Sequence, residues 1–302
     1  MKRKTWNEFR HSVEYLFVQG LLLILWNVSL KTALAMADGL GRFVFSVLRV
    51  RRKVTLKNLA DCFPEKSEAE RLRIARDTYR NFTKMVFEYM RFPILKGSDV
   101  LEICTIEGEQ NAKTALRKGK GGVLVAGHFG NWELMGALLA KKGYPMSFLV
   151  GEQHNRQVDR LMNRCREHMG IKIIHMGVAV RGVLRALHDN GFVALLSDQD
   201  AGLEGVFVDF FGRPSSTHQG PAVFALRTGA PVLFGSAIRL PCGRHRIVAE
   251  LLDFGHLAGI TPENIRIVTQ AYTALLEKAV RNHPDHWFWM HRRWKSREMS
   301  IL

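Results

Sequence analysis

Short apolar runs alternate with amphipathic segments from Cys104 onward. The apolar runs have the length of buried strands, and the segments between them have helical periodicity. The predicted strands are residues 122–126, 146–150, 171–174, 192–196 and 232–237, and the predicted helices are residues 132–142, 156–169, 180–189, 220–228 and 262–283. This alternation is typical of an α/β fold in which helices flank a mostly parallel central sheet.

The N-terminus combines positive charge with a long apolar stretch. Basic residues 2–4 precede an apolar run over residues 16–30, and small residues follow at 33–37, as in a signal peptide. Glu8 and Lys31 argue against cleavage. We therefore predict an uncleaved membrane-anchor helix, and a spanning helix, an interfacial helix and a buried core helix all remain open.

The region between this anchor and the alternating pattern is helical. Residues 54–92 have helical periodicity, with a break and a new helix start near Pro64. The basic segment 49–53 is predicted to face the cytoplasm. Because no repeat or long linker interrupts the remainder, we predict an N-terminal membrane anchor with its basic flank over residues 1–50 and one catalytic domain over residues 51–302.

The charge of the chain points to an anionic partner. Its formal net charge is +16, from 44 Lys and Arg against 28 Asp and Glu. Nucleic acid, an anionic membrane face, an acidic carrier protein and a phosphate-bearing substrate all fit this excess. The 4 cysteines lie far apart without metal-ligand spacing, as expected for reduced thiols that pack as small apolar residues in the cytosol.

The stretch VLVAGHFGNWEL, residues 123–134, carries the first chemical candidate. His128 follows a predicted strand, and Asn131 is a plausible N-cap for the helix that contains Glu133. A histidine at this sheet edge can act as a general base toward a hydroxyl, and a nearby carboxylate fixes its tautomer. A turn histidine satisfied by backbone is the alternative. A zinc site of the HExxH kind is excluded, because no second histidine lies one helical turn away.

The segment HFGNWEL resembles the His-x4-Asp/Glu motif of the lysophospholipid acyltransferase superfamily. In the form HFGNWE it resembles the bacterial lipid A late acyltransferases, the lauroyl and myristoyl transferases. Other stretches similar to this family are residues 51–65, 210–217, 220–222, 228–230 and 287–294. Together with the N-terminal anchor, the resemblance covers nearly the whole chain.

This resemblance implies transfer of a fatty acyl chain from acyl carrier protein, or from coenzyme A, to a hydroxyl of a lipid A precursor, another glycolipid or a lysolipid. It implies a glycerol-3-phosphate acyltransferase-like fold, no metal and no bound cofactor, and a cytoplasmic catalytic domain at the bacterial inner membrane. By position in the motifs, His128 is the expected general base and Glu133 its orienting carboxylate. Arg156 and Asp198 match positions expected to bind substrate or to shape the site.

The residues themselves support these assignments in part. Asp198 follows a predicted strand, so it falls at the same sheet edge as His128. Arg156 can bind a phosphate bidentately. A loop-capping aspartate and a surface arginine are the competing interpretations. Backbone N–H groups near Gly130 and Asn131 are predicted to stabilise an oxyanion.

A turn rich in Gly, Pro and Ser offers weaker candidates. Arg213 and Thr217 are predicted to add anion contacts. Phe207, Phe210 and Phe211 either line an acyl groove or belong to the hydrophobic core.

The C-terminal tail mixes tryptophans with cations, which suits a membrane interface. Its residues are Trp287, Trp289, Arg292, Arg293, Trp294, Lys295 and Arg297. The same composition can bind nucleic acid, but no recognition-helix, OB-fold or RNP pattern is present, so no nucleic-acid partner is expected. A thioesterase or hydrolase that activates water is the remaining alternative. The absence of a Gly-x-Ser-x-Gly segment favours direct acyl transfer over a covalent acyl-enzyme.

Overall fold

The computed structural model describes residues 2–296, with the backbone alone at residues 2–7 and 178. The helices are α1 Lys2–Asn27, α2 Leu30–Phe43, α3 Arg52–Cys62, α4 Glu68–Met90, α5 Gly97–Ile103, α6 Glu109–Arg117, α7 Trp132–Lys141, α8 Arg156–His168, α9 Ala179–His188, α10 Gly220–Thr228 and α11 Pro262–Asn282. The strands are β1 Cys104–Glu107, β2 Gly122–Gly130, β3 Met146–Val150, β4 Ile171–His175, β5 Phe192–Leu196, β6 Val206–Asp209, β7 Pro214–Thr217, β8 Val232–Arg239 and β9 His245–Leu252.

A 7-stranded sheet in the order β1-β9-β8-β2-β5-β3-β4 forms the centre of the fold. Strands β8, β2, β5, β3 and β4 are parallel to one another. Strand β9 is antiparallel to β8, and β1 is parallel to β9. Strands β6 and β7 form a separate antiparallel hairpin. The predicted α/β fold with a mostly parallel sheet flanked by helices is confirmed.

Every strand and helix predicted after Cys104 is present. The main difference is that the structure contains further strands. Strands β1, β6, β7 and β9 were not predicted. In β9, polar residues such as Arg246 and Glu250 alternate with buried apolar ones, so it lacks the continuous apolar run of the central strands. Strand β2 continues beyond its predicted end to Gly130, with a register shift between Ala126 and Gly130. His128 therefore lies in the irregular last part of a strand.

The parallel strands bury both faces, because alternate side chains point into different hydrophobic cores. On one face, Val123 and Val125 of β2 pack with residues of α9, α10 and α11. On the other face, Leu124 and Ala126 pack with residues of α6, α7 and α8. This double burial accounts for the uninterrupted apolar runs that identified the strands.

The N-terminal apolar stretch is divided between two helices. Helix α1 ends at Asn27, and α2 starts at Leu30 with Ser29 as its N-cap. Arg91, the C-cap of α4, fixes the corner by donating a hydrogen bond to the Val28 carbonyl at 2.8 Å. Within residues 2–296, no helix is both long enough and apolar enough to cross a bilayer. The break near Val28 splits the apolar run, so the spanning alternative left open for the predicted anchor helix is not found among the described residues.

The C-terminal tail is also placed differently from its prediction. Trp287 and Trp289 are buried in the core, and so is the guanidinium of Arg293. The two indole rings belong to the hydrophobic core and therefore do not face a membrane interface. Arg297 lies outside the described residues. Phe210 and Phe211 belong to the same core, where their rings pack edge to face against Trp287 and Trp289, respectively.

A buried charged cluster ties α4 to the sheet and to the start of α7. Glu88 is 4 % exposed and accepts hydrogen bonds from Arg239 of β8 at 2.6 Å and from Asn131 at 2.7 Å. The His245 Nε2 atom lies 3.2 Å from the same carboxylate. Although burial opposes ionisation, Arg239 and His245 lower the pKa of Glu88 to about 2. The carboxylate therefore acts as the counter-charge that these buried groups require.

We expect Glu88→Ala to lower the free energy of unfolding by about 3–5 kcal/mol, because it leaves the largely buried Arg239 guanidinium without a counter-charge. Urea unfolding followed by circular dichroism measures this loss. The matched control is Asp253→Ala, which breaks an exposed pair with Lys118 and should cost less than about 1 kcal/mol. Equal losses in the two variants would contradict the role given to the Glu88 cluster.

Candidate active site

The parallel pairing of β2 with β5 brings His128 and Asp198 together. Val125 pairs with Leu195 and Ala126 with Leu196, so the residues that follow on each strand meet at one edge of the sheet. The His128 Nδ1 atom lies 2.7 Å from Asp198 Oδ1, and the His128 backbone N–H donates to Asp198 Oδ2 at 2.8 Å. With Nδ1 protonated toward this carboxylate, Nε2 carries the free lone pair.

The electrostatics of the pair favour the charged imidazolium. Burial opposes ionisation of His128, but the charge and hydrogen bond of Asp198, together with the charge of Glu133, raise its pKa above the ordinary value. Burial likewise opposes ionisation of Asp198, yet His128 and the indole N–H of Trp287 lower the pKa of that carboxyl to about 2. Asp198 is therefore an anion at neutral pH, and His128 is poised to accept a proton.

Aromatic rings surround the histidine and leave a small opening. The His128 ring meets Trp132 edge to face at a centroid distance of 5.0 Å, and Phe288 lies 6.2 Å away. A cavity of about 10 Å³ adjoins these residues. The His128 side chain is 23 % exposed. The Gln199 amide nitrogen, 3.5 Å from Nε2, is the polar group that faces the free lone pair.

The residues after His128 shape the turn into α7. Gly130 has φ +59°, and a Cβ there would lie 1.5 Å from the Ala237 carbonyl oxygen, so only glycine fits. The Asn131 side chain accepts a hydrogen bond from the Leu134 N–H at 2.9 Å, which confirms its predicted N-cap role. Asn131 is buried, and its side-chain amide also donates to Glu88 at 2.7 Å.

Glu133 is paired with Arg166 and makes no hydrogen bond to His128 in the described part of the chain. Its carboxylate accepts two hydrogen bonds from Arg166 of α8, at 2.6 and 3.0 Å, and it is 3 % exposed. Among the described residues, no hydrogen bond joins Glu133 to the His128 ring, and the carboxylate bonded to that ring belongs to Asp198. Glu133 instead links α7 to α8 through a buried ion pair.

The remaining predicted site residues lie apart from this pair. Arg156 is exposed in the first turn of α8. Arg213 donates to Asp61 at 3.0 Å and stacks over Trp294. The Thr217 hydroxyl is buried, where it accepts a hydrogen bond from Arg293.

Sequence reasoning missed two partners, Arg166 and Trp287. Arg166 stands on α8 without a motif spacing that would single it out, and only the packing of α7 against α8 pairs it with Glu133. Trp287 was noticed in the sequence, but as part of a membrane tail. Its indole N–H donates to Asp198 Oδ2 at 2.8 Å, a contact that joins residues 89 positions apart.

A histidine hydrogen-bonded to a carboxylate at the carboxyl edge of an α/β sheet is an arrangement found in enzymes that activate a hydroxyl or water by general-base catalysis. Comparison with known sequences narrows the class to one family. The profile described as "Bacterial lipid A biosynthesis acyltransferase" matches residues 2–296, and the chain belongs to that family. It is an acyltransferase.

Relatives with described activities cover most of the chain. The lipid A biosynthesis palmitoleoyltransferase of Escherichia coli (strain K12) is 27 % identical over 304 residues, which covers 97 % of this chain and 95 % of the relative. The lipid A biosynthesis myristoyltransferase of the same strain is 25 % identical over 59 % of this chain and 55 % of its own length. The phosphatidylinositol mannoside acyltransferase of Mycobacterium tuberculosis (strain CDC 1551 / Oshkosh) is 26 % identical over 63 % and 59 %, respectively.

We expect an NMR titration of the imidazole signals to place the pKa of His128 above the ordinary value of about 6.5. In Asp198→Asn the pKa should fall below the wild-type value, because burial still opposes the charged ring while the carboxylate that favours it is lost. Glu133→Gln should lower the pKa by less, since Glu133 acts on the ring by charge alone. An unchanged midpoint in Asp198→Asn would refute the pairing.

Proposed function

We propose that this protein transfers a fatty acyl chain from an acyl thioester to a hydroxyl of a lipid A precursor or a related glycolipid, with His128 as the general base. The observation that carries this proposal is the 2.7 Å contact between His128 Nδ1 and Asp198, which leaves Nε2 as the proton acceptor. The donor that best fits the chain is acyl carrier protein, an acidic protein, because the enzyme has a net charge of +16. Coenzyme A is the alternative donor.

The reaction proceeds by direct transfer between the two bound substrates. His128 Nε2 takes the proton of the acceptor hydroxyl while the hydroxyl oxygen attacks the thioester carbonyl. Backbone N–H groups near Gly130 and Asn131, at the start of α7, stabilise the resulting oxyanion. The carbon–sulfur bond then breaks, and the imidazolium returns the proton to the departing thiolate. The ester product and a free thiol leave the site.

In this mechanism Asp198 takes the orienting role that the sequence assigned to Glu133. Its carboxylate fixes the Nδ1–H tautomer and stabilises the imidazolium through a direct hydrogen bond. Glu133 contributes through the ion pair with Arg166, which anchors the helix that follows the catalytic histidine. The motif glutamate is thus a positioning residue, and its charge additionally favours protonation of His128.

The buried cysteines are unsuited to forming a covalent intermediate. Burial raises the pKa of Cys62 and Cys104 to about 12 and that of Cys165 to about 11. These groups remain thiols at neutral pH, and the thiolate is the nucleophilic form. This chemistry supports the general-base route over a cysteine acyl-enzyme.

Phosphate groups of the acceptor are the anions that Arg156 is proposed to bind. Arg156, Arg160 and Arg164 recur at every fourth position of α8, and all three are exposed. This spacing forms one basic stripe along the helix. Because Arg213 is paired with Asp61, we assign substrate contact to Arg156 in preference to Arg213.

Membrane association is proposed to be interfacial, at the cytoplasmic face of the bacterial inner membrane. Exposed apolar side chains recur along one face of α1, while Leu22 and Leu25 of the opposite face are buried. They include Val13, Leu16, Phe17, Leu23 and Ile24. A helix with such a face lies along the membrane surface with its apolar side in the acyl boundary. Basic residues 49–53 favour an anionic surface.

The function is tested by transfer of a labelled acyl group from acyl carrier protein to a phosphorylated lipid A precursor in detergent. His128→Ala should lower kcat/KM by several orders of magnitude, and Asp198→Asn by about 10³–10⁴-fold, because the base or its tautomer is lost. Wild-type kcat/KM should fall as the pH drops through the raised pKa of His128, because the protonated ring cannot act as a base.

Lys118→Ala, which alters an exposed ion pair with Asp253, is the control and should retain wild-type kcat/KM. Full transfer by His128→Ala would contradict the mechanism. Release of free fatty acid by the wild type, at the same rate with and without acceptor, would instead indicate a thioesterase.

Membrane association is tested by flotation with vesicles that contain anionic phospholipid. Replacing Leu16 and Phe17, which are 64 % and 71 % exposed, with serine should weaken binding by about tenfold or more, since each buried CH₂ contributes about 0.8 kcal/mol. Ile260→Ser is the matched control, because Ile260 is an exposed apolar residue just before α11. Equal binding by the double variant and the control would reject the α1 surface.

A further inference from the structure

The loop that follows β5 is held along its length by the C-terminal segment of residues 287–296. The Trp287 indole N–H donates to the Asp198 carboxylate. The Arg293 guanidinium donates to the Gln199 carbonyl at 3.3 Å. Ser296 donates to the Asp200 carboxylate through its hydroxyl at 3.0 Å and its backbone N–H at 3.1 Å. Each residue of the Asp198–Gln199–Asp200 triplet therefore has a partner from the end of the chain.

A backbone contact brings the same segment to the catalytic histidine. The Phe288 N–H donates to the His128 carbonyl at 3.0 Å, and Phe129 forms an isolated antiparallel bridge with Trp287. The segment thus contacts both members of the histidine–aspartate pair. Both Trp287 and Asp198 are nearly inaccessible to solvent, at 1 % and 4 % exposed.

We propose that Trp287 is a positioning residue of the active site, whose indole N–H fixes the Asp198 carboxylate in the orientation that selects the base-competent tautomer of His128. The proposal rests on the acyl-transfer function and deepens it. It assigns to the C-terminal aromatic segment a part in catalysis.

The distribution of donors on Asp198 is the physical basis. Oδ2 accepts the Trp287 indole and the His128 backbone N–H, both at 2.8 Å, while Oδ1 accepts the His128 ring. With both Oδ2 donors in place, the carboxylate plane is fixed and Oδ1 faces Nδ1. Removal of the indole N–H leaves one donor on Oδ2, so a buried anion loses solvation and the carboxylate gains freedom to rotate.

A second tryptophan provides a matched control within the same segment. Trp289 is buried and packs edge to face against Trp287, with ring centroids 4.6 Å apart. Its indole N–H donates to the Pro284 carbonyl and makes no contact with the catalytic pair. Replacing either tryptophan with phenylalanine removes one indole N–H, and the buried volume lost is similar in the two variants. The two variants therefore differ in whether Asp198 loses a donor.

The experiment compares Trp287→Phe with Trp289→Phe for kcat, KM and the pH dependence of kcat/KM. Trp287→Phe should lower kcat by about tenfold, with KM for both substrates unchanged. Loss of the donor frees the Asp198 carboxylate to rotate, which weakens its hydrogen bond to the His128 ring and so lowers the pKa of His128. The acid limb of the profile should therefore move to lower pH. Trp289→Phe should keep the wild-type kcat and acid limb.

Other charged groups around the pair are common to both variants, so they cancel in the comparison. They are Glu133 on α7, Asp200 on the loop after β5, His218 after β7, and His291 and Arg293 in the C-terminal segment. If the two variants show the same kcat and the same acid limb, the Trp287 contact is only structural and the proposal is overturned.

A measurement on the unmodified protein covers the case in which Trp287→Phe does not fold. In an NMR titration, the Trp287 indole N–H signal should follow the titration of the His128 ring, whereas the Trp289 signal should not. If neither indole signal, or both equally, follows His128, the proposal is overturned. This titration needs no substrate, so it tests the coupling of Trp287 to the histidine–aspartate pair separately from the proposed acyl transfer.

Discussion

The hydrogen bond between His128 and Asp198 depends on the parallel pairing of two strands that are far apart in sequence. Because β2 and β5 run side by side in the same direction, their carboxyl ends meet, and the two side chains face each other across the sheet edge. Strand β2 extends to Gly130, with a register shift against β8 between Ala126 and Gly130, and His128 lies within this irregular part. The chemistry of the site follows from this backbone arrangement.

The HFGNWE stretch serves three physical purposes within six residues. His128 bonds to Asp198, Asn131 caps α7 and donates to Glu88, and Glu133 pairs with Arg166. Buried ion pairs on two sides thus hold the turn between β2 and α7. Removing one member of either pair leaves its partner as an uncompensated charge in a low-dielectric interior, which is costly. The stretch is therefore a structural unit in which Glu133 bonds to Arg166 and Asp198 bonds to the histidine.

At both ends of the chain, the amino-acid composition is typical of a membrane interface, but part of each segment is buried in the protein. Tryptophans and arginines near the C-terminus suit a membrane interface, yet Trp287 and Arg293 are buried, where their N–H groups satisfy the loop after β5. The apolar N-terminus divides into two helices that bury one side against α4 and expose another. The composition marked both segments as unusual, but it did not determine which residues pack against them.

The sequence by itself determined the α/β layers, the position of His128 at a strand end and the N-cap at Asn131. These features depend on local periodicity and on short-range capping, which are read within a few residues. It also placed Asp198 at the same sheet edge. Only the tertiary structure decided that Asp198, rather than Glu133, contacts the His128 ring, that Arg166 is the partner of Glu133, and that Trp287 donates to Asp198. Those choices depend on strand order and helix packing between distant segments, which local spacing does not encode.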